Sequence, residues 1–238
     1  MKKEQDLSSV PHNEHELKTR RQFLGTSAIM AAGLLSACSS NPRASLPDAS
    51  PSADLSQPYE VMYGPLPDEQ FPLPAIDLSK INSKFLRREV SYQTDEKVGT
   101  LVVDTHNYYL YLIGENGTAL RYGVGLGRAG FEWSGRAIVA RKAVWPTWVP
   151  PEEMIERQPE LTKWSWQNGG MPPGPENPLG ARALYIYQNG RDTLYRLHGT
   201  AEVWSIGRAV SSGCVRLLNH DIIDLHRRVP PQTPIVVI

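Results

Sequence analysis

The sequence ARALYIYQNGRDTLYRLHG, residues 181–199, contains two runs rich in aliphatic and aromatic side chains on either side of an Asn-Gly pair at 189–190. Such runs are typical of β-strands, and an Asn-Gly pair between them favours a tight turn. The stretch therefore predicts a β-hairpin. In its second strand, Arg196 and His198 are expected on one face and Leu197 on the other.

The chain from about Ile81 onward contains more strand patterns than helix patterns. A second hairpin is predicted within NYYLYLIGENGTALRYGVGL, with the Asn-Gly pair at 116–117 as its turn. Further strands are predicted within FLRREVSYQT, VGTLVVDT, RAIVARKAV and TPIVVI, and short helices within PEEMIERQ and DIIDLHRRV. These patterns predict a mainly β domain, predominantly antiparallel, with one or two short helices.

The composition excludes two classes of protein. The 238-residue chain carries 25 Lys and Arg against 25 Asp and Glu, with no long run of one sign. This balance argues against a nucleic-acid partner. The 20 prolines and 19 glycines are more than a helical bundle tolerates.

The first 38 residues have the order of parts of an export signal. The pair Arg20-Arg21 precedes a short apolar stretch at 29–35 and the sequence LSAC, which ends at Cys38. A charged region, an apolar region and small residues before a cleavage site describe a secretory signal, and paired arginines favour the twin-arginine route. LSAC resembles the lipobox of bacterial lipoproteins, which predicts lipidation of Cys38. The alternatives are a basic patch before an apolar helix and an ordinary free thiol.

Residues 39–80 are predicted to be a Pro- and Ser-rich tether between the signal and a domain at 81–238. A segment with this composition buries too little apolar surface to order itself well. Because Ser39, not aspartate, follows the cysteine, the outer membrane is favoured for the lipid anchor. The protein is thus predicted to be exported, periplasmic and lipid-anchored to a membrane.

Cys214 is the only cysteine beyond the predicted signal, and it follows His198 by sixteen residues. One leftover cysteine in an exported protein suggests a reactive thiol or an intermolecular disulfide. The spacing is too long for one helical face, so contact needs a loop that returns, with Gly199, Gly207 and Gly213 as permissive backbone. An imidazolium beside the thiol would stabilise the thiolate, and successive amides of SSGC would bind an oxyanion.

Each of these residues also has an ordinary alternative. A lone cysteine is more often a small buried apolar residue, and a lone histidine is more often a core residue. Arg216 carries a fixed positive charge that suits a substrate carboxylate or an internal acid. The ordinary alternative is that Arg216 forms an ion pair with Asp221 or Asp224. No second cysteine and no closely spaced histidine accompanies His198 or Cys214, so we expect no zinc site.

The joint pattern of HGT and WSIGRAVSSGCVRLLNHDIIDL closely resembles the signature of the bacterial L,D-transpeptidase catalytic domain, also called the YkuD domain. The upstream sequences GVGLGRAGFEWSGRAIVARKAVWPTWVPPEEM and NPLGARALYIY are similar to the same family. The resemblance covers roughly residues 97–238. It implies a β-sandwich or barrel-like fold, an active-site cysteine, peptidoglycan stem peptides as substrates and no cofactor.

By this resemblance Cys214 is the nucleophile, His198 is its base, and the carbonyl of Gly199 orients the imidazole. The amides of Gly213 and Cys214, with Ser212, form the oxyanion site. Many family members carry a second histidine just before the Gly-Cys pair, where this chain has Ser212, so the role of that histidine does not transfer. A subset of the family also lacks it.

Three further residues are predicted to contact the substrate: Arg216, Ser211 and Trp145. Trp145 belongs to an irregular stretch at 133–178 that holds five of the six tryptophans. Segments of this kind often line ligand clefts or form lids, and the alternative is packing onto the sheet.

The implied reaction is acyl transfer, in which Cys214 attacks the L-centre carbonyl of a diamino acid in a tetrapeptide stem and D-alanine leaves. An amine on a second stem then gives a 3→3 cross-link, and an amine on an outer-membrane protein or lipoprotein anchors that protein to the wall. Three alternatives stay open: an L,D-carboxypeptidase or other hydrolase on the same fold, a catalytically silent peptidoglycan-binding lipoprotein, and a general cysteine peptidase.

Overall fold

The computed structural model describes residues 58–127, 134–211 and 214–238. Within these ranges the chain forms eleven β-strands and three α-helices, with short 3-10 helices between them. The strands are β1 Arg88–Ser91, β2 Leu101–Asp104, β3 Tyr109–Ile113, β4 Thr118–Gly123, β5 Gly125–Gly127, β6 Gly135–Val144, β7 Arg182–Gln188, β8 Arg191–Thr200, β9 Ala209–Ser211, β10 Val215–Leu218 and β11 Thr233–Val237. The helices are α1 Tyr59–Met62, α2 Glu152–Arg157 and α3 Asn219–Arg228.

All the described strands belong to one sheet, in the order β1-β4-β3-β2-β11-β6-β7-β8-β10-β5-β9. Most neighbouring strands are antiparallel, but β11 runs parallel to β2, β10 to β8 and β9 to β5. Only Val124 separates β4 from β5, although β4 is second in the sheet order and β5 is tenth. The sheet must therefore curl until its two ends meet.

The inside of the curled sheet is the main hydrophobic core. Its buried members come from the strands and from α3, and include Leu101, Leu110, Tyr122, Leu126, Val139, Leu184, Leu197, Leu217, Ile222 and Leu225. Each large apolar side chain buried in this way contributes roughly 1.5–3 kcal/mol relative to exposure. The predicted mainly β, sandwich or barrel-like fold is confirmed.

Both predicted hairpins are present, as β3–β4 and β7–β8. The turn residues Asn116 and Gly117 have φ values of 56° and 71°, and Asn189 and Gly190 have 50° and 75°. Asparagine and glycine adopt positive φ at the lowest cost, and two such residues in succession match the twist of the flanking strands. The Asn-Gly pairs therefore fix the register of both hairpins.

Helix α3 carries two buried carboxylates, Asp221 and Asp224. Asp224 accepts a hydrogen bond from Tyr122 Oη at 2.7 Å and pairs with Arg228 at 2.7 Å. Burial raises the pKa of Asp221 to about 7, although the charge of Arg87 acts in the opposite direction. A buried carboxylate is costly unless it is paired, so the stability of α3 in the core depends on these partners.

The partners of Asp221 come from the segment that precedes β1. Tyr63 Oη donates to Asp221 at 3.0 Å, and the Arg87 guanidinium lies 3.0 Å from Asp224 and 3.8 Å from Asp221. The backbone N–H of Arg87 donates in turn to Tyr63 Oη at 2.7 Å. A buried network thus joins this segment to α3.

The sequence assigns residues 58–80 to the tether, and here the structure differs. Tyr63 and Leu73 are buried against the domain, and the short helix α1 was not predicted. The prolines do not prevent this packing, because large apolar side chains recur every few positions and join two clusters on the domain surface. Residues 39–57 lie outside the described ranges, so the tether prediction stands there as a prediction.

Replacement of Arg87 by methionine should lower the free energy of unfolding by about 3–5 kcal/mol, because it leaves two buried carboxylates without their shared cation. Urea denaturation at pH 8, where Asp221 is ionised, measures this loss. Arg88→Met is the matched control at the neighbouring exposed arginine, with an expected change below about 0.5 kcal/mol. Equal stabilities of Arg87→Met and the parent protein would contradict the assigned role of the network.

Candidate active site

The parallel strands β8 and β10 place two of the predicted site residues on one face of the sheet. Their register pairs His198 with Arg216, so Cys214, the residue just before β10, lies opposite Arg196. Side chains alternate along each strand, so Cys214 and His198 lie on the same face, opposite to the core-facing Leu197. Since neighbouring strands are about 4.8 Å apart, the two residues are diagonal neighbours.

The imidazole of His198 is held by its own chain. Its Nδ1 lies 2.8 Å from the carbonyl oxygen of Gly199. A carbonyl oxygen only accepts hydrogen bonds, so Nδ1 carries the hydrogen and donates it. The neutral ring then leaves Nε2 unprotonated, which is the tautomer that a base toward Cys214 requires.

Glycine is required at position 199 because helix α3 approaches the backbone there very closely. A Cβ at this position would overlap with Asn219 Oδ1 and would lie 3.0 Å from a methyl group of Ile222. Asn219 Oδ1 accepts instead from the backbone N–H of Ala181 at 2.9 Å, while the N–H of Gly199 donates to the Leu179 carbonyl at 3.1 Å. These contacts fix the carbonyl that orients His198.

The thiol of Cys214 is free and half-buried. Burial raises its pKa above the ordinary value, against a backbone hydrogen bond from Arg196 and the charges of Arg196 and Arg216, which lower it. Burial also lowers the pKa of His198 to about 4; its contact with the Gly199 carbonyl opposes this shift, and the same two arginine charges add to it. At neutral pH the two residues are therefore a thiol and a neutral imidazole. An imidazolium beside a thiolate, one way of stabilising the thiolate, is therefore not the resting state of this pair. A neutral imidazole is the form needed for the base role that the family resemblance implies for His198.

Arg216 lies beside His198 on the same face, and its charge is compensated by a nearby acid. Its guanidinium lies 2.6 Å from a carboxylate oxygen of Glu202. The alternative ion pairs with Asp221 and Asp224 do not form, because those carboxylates lie in the core with Arg87 and Arg228. The internal acid foreseen for Arg216 is thus Glu202.

Trp145 is not brought to the face that carries Cys214. Its side chain is 3% exposed and belongs to a cluster with Leu73. The indole N–H donates to Glu69 at 3.0 Å, and the Phe71 ring packs edge-on at 4.9 Å between centroids. Trp145 therefore packs against the segment at 58–87 and against Ala181 and Ile223, and does not line the face that carries Cys214.

Several predicted residues lie at or beyond the limits of the description. Ser211 ends β9. Ser212, Gly213 and the lipidation residue Cys38 lie outside the described ranges, as does Trp133 at the start of the tryptophan-rich stretch. Their predicted roles stay predictions.

Three residues of this face were not singled out as site residues from the sequence: Arg141, Tyr185 and Arg196. Alternation had placed Arg196 beside His198. The parallel pairing that brings Cys214 opposite Arg196 joins residues eighteen positions apart in the sequence, and no local pattern signals it.

No group of three or more His, Cys, Asp or Glu side chains in the described ranges is arranged to hold a metal ion. Among the described helices, none has both the length and the apolar character to cross a membrane.

The sequence around this site matches a known protein family. Residues 99–237 match the family model YkuD, the L,D-transpeptidase catalytic domain. The probable L,D-transpeptidase YbiS of Escherichia coli K12 is 38% identical over 136 residues, which are 52% of this chain and 39% of that protein. A putative L,D-transpeptidase of Fuscovulum blasticum is 36% identical over 100 residues, 42% of this chain and 47% of that protein. The chain thus spans less than half the length of these relatives.

Among solved structures, a Brucella melitensis protein described as a probable carnitine operon oxidoreductase is 42% identical and has a TM-score of 0.47, over 65% of this chain and 94% of its own. An L,D-transpeptidase from Mycobacterium smegmatis is 19% identical with a TM-score of 0.40, over 58% of each chain. At TM-scores below 0.5 neither likeness bears on fold or activity.

The family match covers more than half of the 238 residues, and it includes both His198 on β8 and Cys214 just before β10. The chain belongs to the L,D-transpeptidase catalytic domain family.

Proposed function

We propose that the protein is a peptidoglycan L,D-transpeptidase that uses Cys214 as its nucleophile. The observation that carries the proposal is the placement of Cys214 and His198 as diagonal neighbours on one sheet face, with Nε2 of His198 free to accept a proton. A buried neutral imidazole next to a thiol is suited to remove the proton as the sulfur attacks. The family and the probable transpeptidases it resembles support the substrate class.

The acylation half-reaction begins when Nε2 of His198 takes the thiol proton of Cys214. The sulfur bonds to the L-centre carbonyl carbon of the diamino acid, and the carbonyl oxygen becomes an oxyanion. When this intermediate collapses, the bond from the carbonyl carbon to the D-alanine nitrogen breaks. The imidazolium returns its proton to that nitrogen, so D-alanine leaves as an amine and a thioester remains.

The transfer half-reaction runs the same steps with an acceptor amine. His198 removes a proton from the attacking amine, the carbon–sulfur bond breaks, and the Cys214 thiolate regains its proton. The product is an amide between the donor stem and the acceptor. The acceptor is a second stem, or an outer-membrane protein or lipoprotein that becomes anchored to the wall.

Two fixed cations assist the negative charge that develops on this face. Arg196 lies opposite Cys214, and Arg216 lies opposite His198. Both lower the pKa of the thiol and both disfavour a resting imidazolium. Their charge is thus most stabilising when sulfur or carbonyl oxygen becomes anionic during attack.

We also propose that the protein is exported through the twin-arginine route and held at a membrane by acylated Cys38. The support is the order of Arg20-Arg21, an apolar stretch and LSAC in the sequence. A lipid-anchored enzyme with a tether would reach the wall from the membrane surface.

Incubation of the protein with purified disaccharide-tetrapeptide should yield cross-linked dimers and free D-alanine, detected by mass spectrometry. Cys214→Ala should abolish both products, and His198→Gln should lower the rate by about 100-fold or more, because it removes the base. Tripeptide without dimers would indicate the hydrolase alternative or an absent protein acceptor. Unchanged tetrapeptide with folded protein would contradict the proposal and favour the silent wall-binding lipoprotein.

The pH dependence of kcat/KM tests the neutral base. Because burial lowers the pKa of His198 to about 4, the base stays unprotonated as the pH falls and is lost only near that value. The rate constant at pH 5.5 should therefore lie within about twofold of its value at pH 7. A histidine with an ordinary pKa of about 6.5 would instead lose roughly tenfold over this range. An acid limb centred near pH 6.5 would contradict the assignment.

The anchor is tested by Cys38→Ser in cells that contain a twin-arginine system. Loss of the acyl chains should move the protein from the membrane fraction to the soluble fraction, because each buried methylene contributes about 0.8 kcal/mol to membrane affinity. Ser39→Ala is the neighbouring control and should stay with the membrane. Equal fractionation of Cys38→Ser and the parent protein would contradict lipidation.

A further inference from the structure

The face that carries Cys214 extends sideways past Arg196 to two residues that the proposed chemistry does not use, Tyr185 and Arg141. Arg141 on β6 pairs with Tyr185 on β7, and Tyr185 pairs with Arg196 on β8. Since Arg196 lies opposite Cys214, one line across four strands runs from Arg141 through Tyr185 and Arg196 to the thiol.

Tyr185 holds both arginines in fixed positions. Its ring is buried, with the Arg141 guanidinium carbon 3.5 Å from the ring centroid and that of Arg196 4.5 Å away. The two guanidinium groups come from the strands on either side of Tyr185. A guanidinium stacked on an aromatic ring is already oriented, so it loses less conformational freedom when it binds a ligand.

Of the two arginines in this row, only Arg196 pairs with a carboxylate in the described residues. Arg196 makes two hydrogen bonds to Asp192, at 2.7 and 2.9 Å, and is mostly buried. Arg141 is exposed, and in the described part of the chain no carboxylate pairs with it. Its planar fork of donors is therefore open to a ligand from solvent, and that fork matches a carboxylate in a bidentate arrangement.

The distance from this arginine to the thiol fits a peptide. Three strand spacings separate the backbone of Arg141 from that of Cys214, which is about 14 Å. An extended peptide covers about 3.3–3.6 Å per residue. The Arg141 guanidinium lies over the Tyr185 ring, one strand nearer to Cys214, so about 10 Å remain. Roughly three residues span this distance, which is the number on the acyl side of the cleaved bond in a tetrapeptide.

We propose that Arg141, oriented by Tyr185, is a subsite that binds a carboxylate of the donor peptide remote from the bond that Cys214 cleaves. That this donor is a peptidoglycan stem peptide rests on the proposed function. Arg196 contributes the second positive charge beside the ring while its own hydrogen bonds to Asp192 keep it in place. The alternative is that Arg141 only covers the Tyr185 ring. A variant that removes the charge of Arg141 and keeps an apolar cover distinguishes the two roles.

The experiment measures binding without turnover. Disaccharide-tetrapeptide is titrated calorimetrically into the full chain carrying Cys214→Ala, and into the same protein with Arg141→Met added. Methionine keeps an apolar cover over Tyr185 and removes the charge. A second titration uses tetrapeptide with its carboxylates amidated, and Arg191→Met, at an exposed hairpin position, is the matched control.

Arg141→Met should weaken binding of the native tetrapeptide by about tenfold or more, the typical value of one charge-assisted pair, and should leave the amidated peptide unaffected. Arg191→Met should change neither. Equal weakening toward both peptides would indicate a covering role only and would overturn the proposal, as would unchanged binding of both.

Turnover of the protein with native Cys214 keeps the two proposals distinguishable. If the parent protein forms cross-links and Arg141→Met does not change peptide binding, the subsite proposal is overturned and the proposed transpeptidase function stands. Absence of both binding and turnover overturns the subsite together with the proposed function.

Discussion

The close approach of helix α3 to the end of β8 is the contact on which the geometry of the site depends. The Asn219 side chain occupies the space that a Cβ at Gly199 would fill, and it accepts from the backbone of Ala181. The Gly199 carbonyl, fixed by this packing, sets the tautomer of His198. Because glycine has no side chain, position 199 lets helix α3 approach the backbone that holds the His198 imidazole. A larger residue there would push β8 away from α3 and turn the carbonyl that the imidazole needs.

The burial of His198 and Cys214 keeps both groups neutral at rest, and two nearby arginines supply positive charge beside them. Burial disfavours the ionised forms, so the thiol and imidazole rest as a neutral pair and no buried ion pair has to be stabilised in the folded state. In the proposed reaction, charge appears only during attack, and Arg196 and Arg216 already lie on the same face. Each arginine is held by an acid of its own, Asp192 or Glu202, so neither collapses onto a transient thiolate. The positive field is thus fixed in advance.

Local patterns in the sequence predicted the parts of the fold that depend on local chemistry. The Asn-Gly turns at 116–117 and 189–190 predicted two hairpins, and the sequence DIIDLHRRV predicted most of helix α3. The short strands β5, β9 and β10 were beyond reach, because three or four residues are too few to show a period. The burial of Trp145 could not be predicted either, since its cover comes from Glu69 and Phe71, more than seventy residues earlier.

The segment from residue 58 to residue 87 lies before the family match at 99–237, yet it completes the core. Tyr63 and Arg87 provide the partners of Asp221, and Arg87 also pairs with Asp224, so the first turns of α3 are stabilised from outside the matched region. Asn219, which fixes Gly199, begins the same helix. A chain cut at the family boundary would leave two carboxylates buried without Arg87 and would loosen the helix that orients His198. The segment is therefore part of the catalytic domain in the physical sense, and the functional unit begins at least forty residues before the family match.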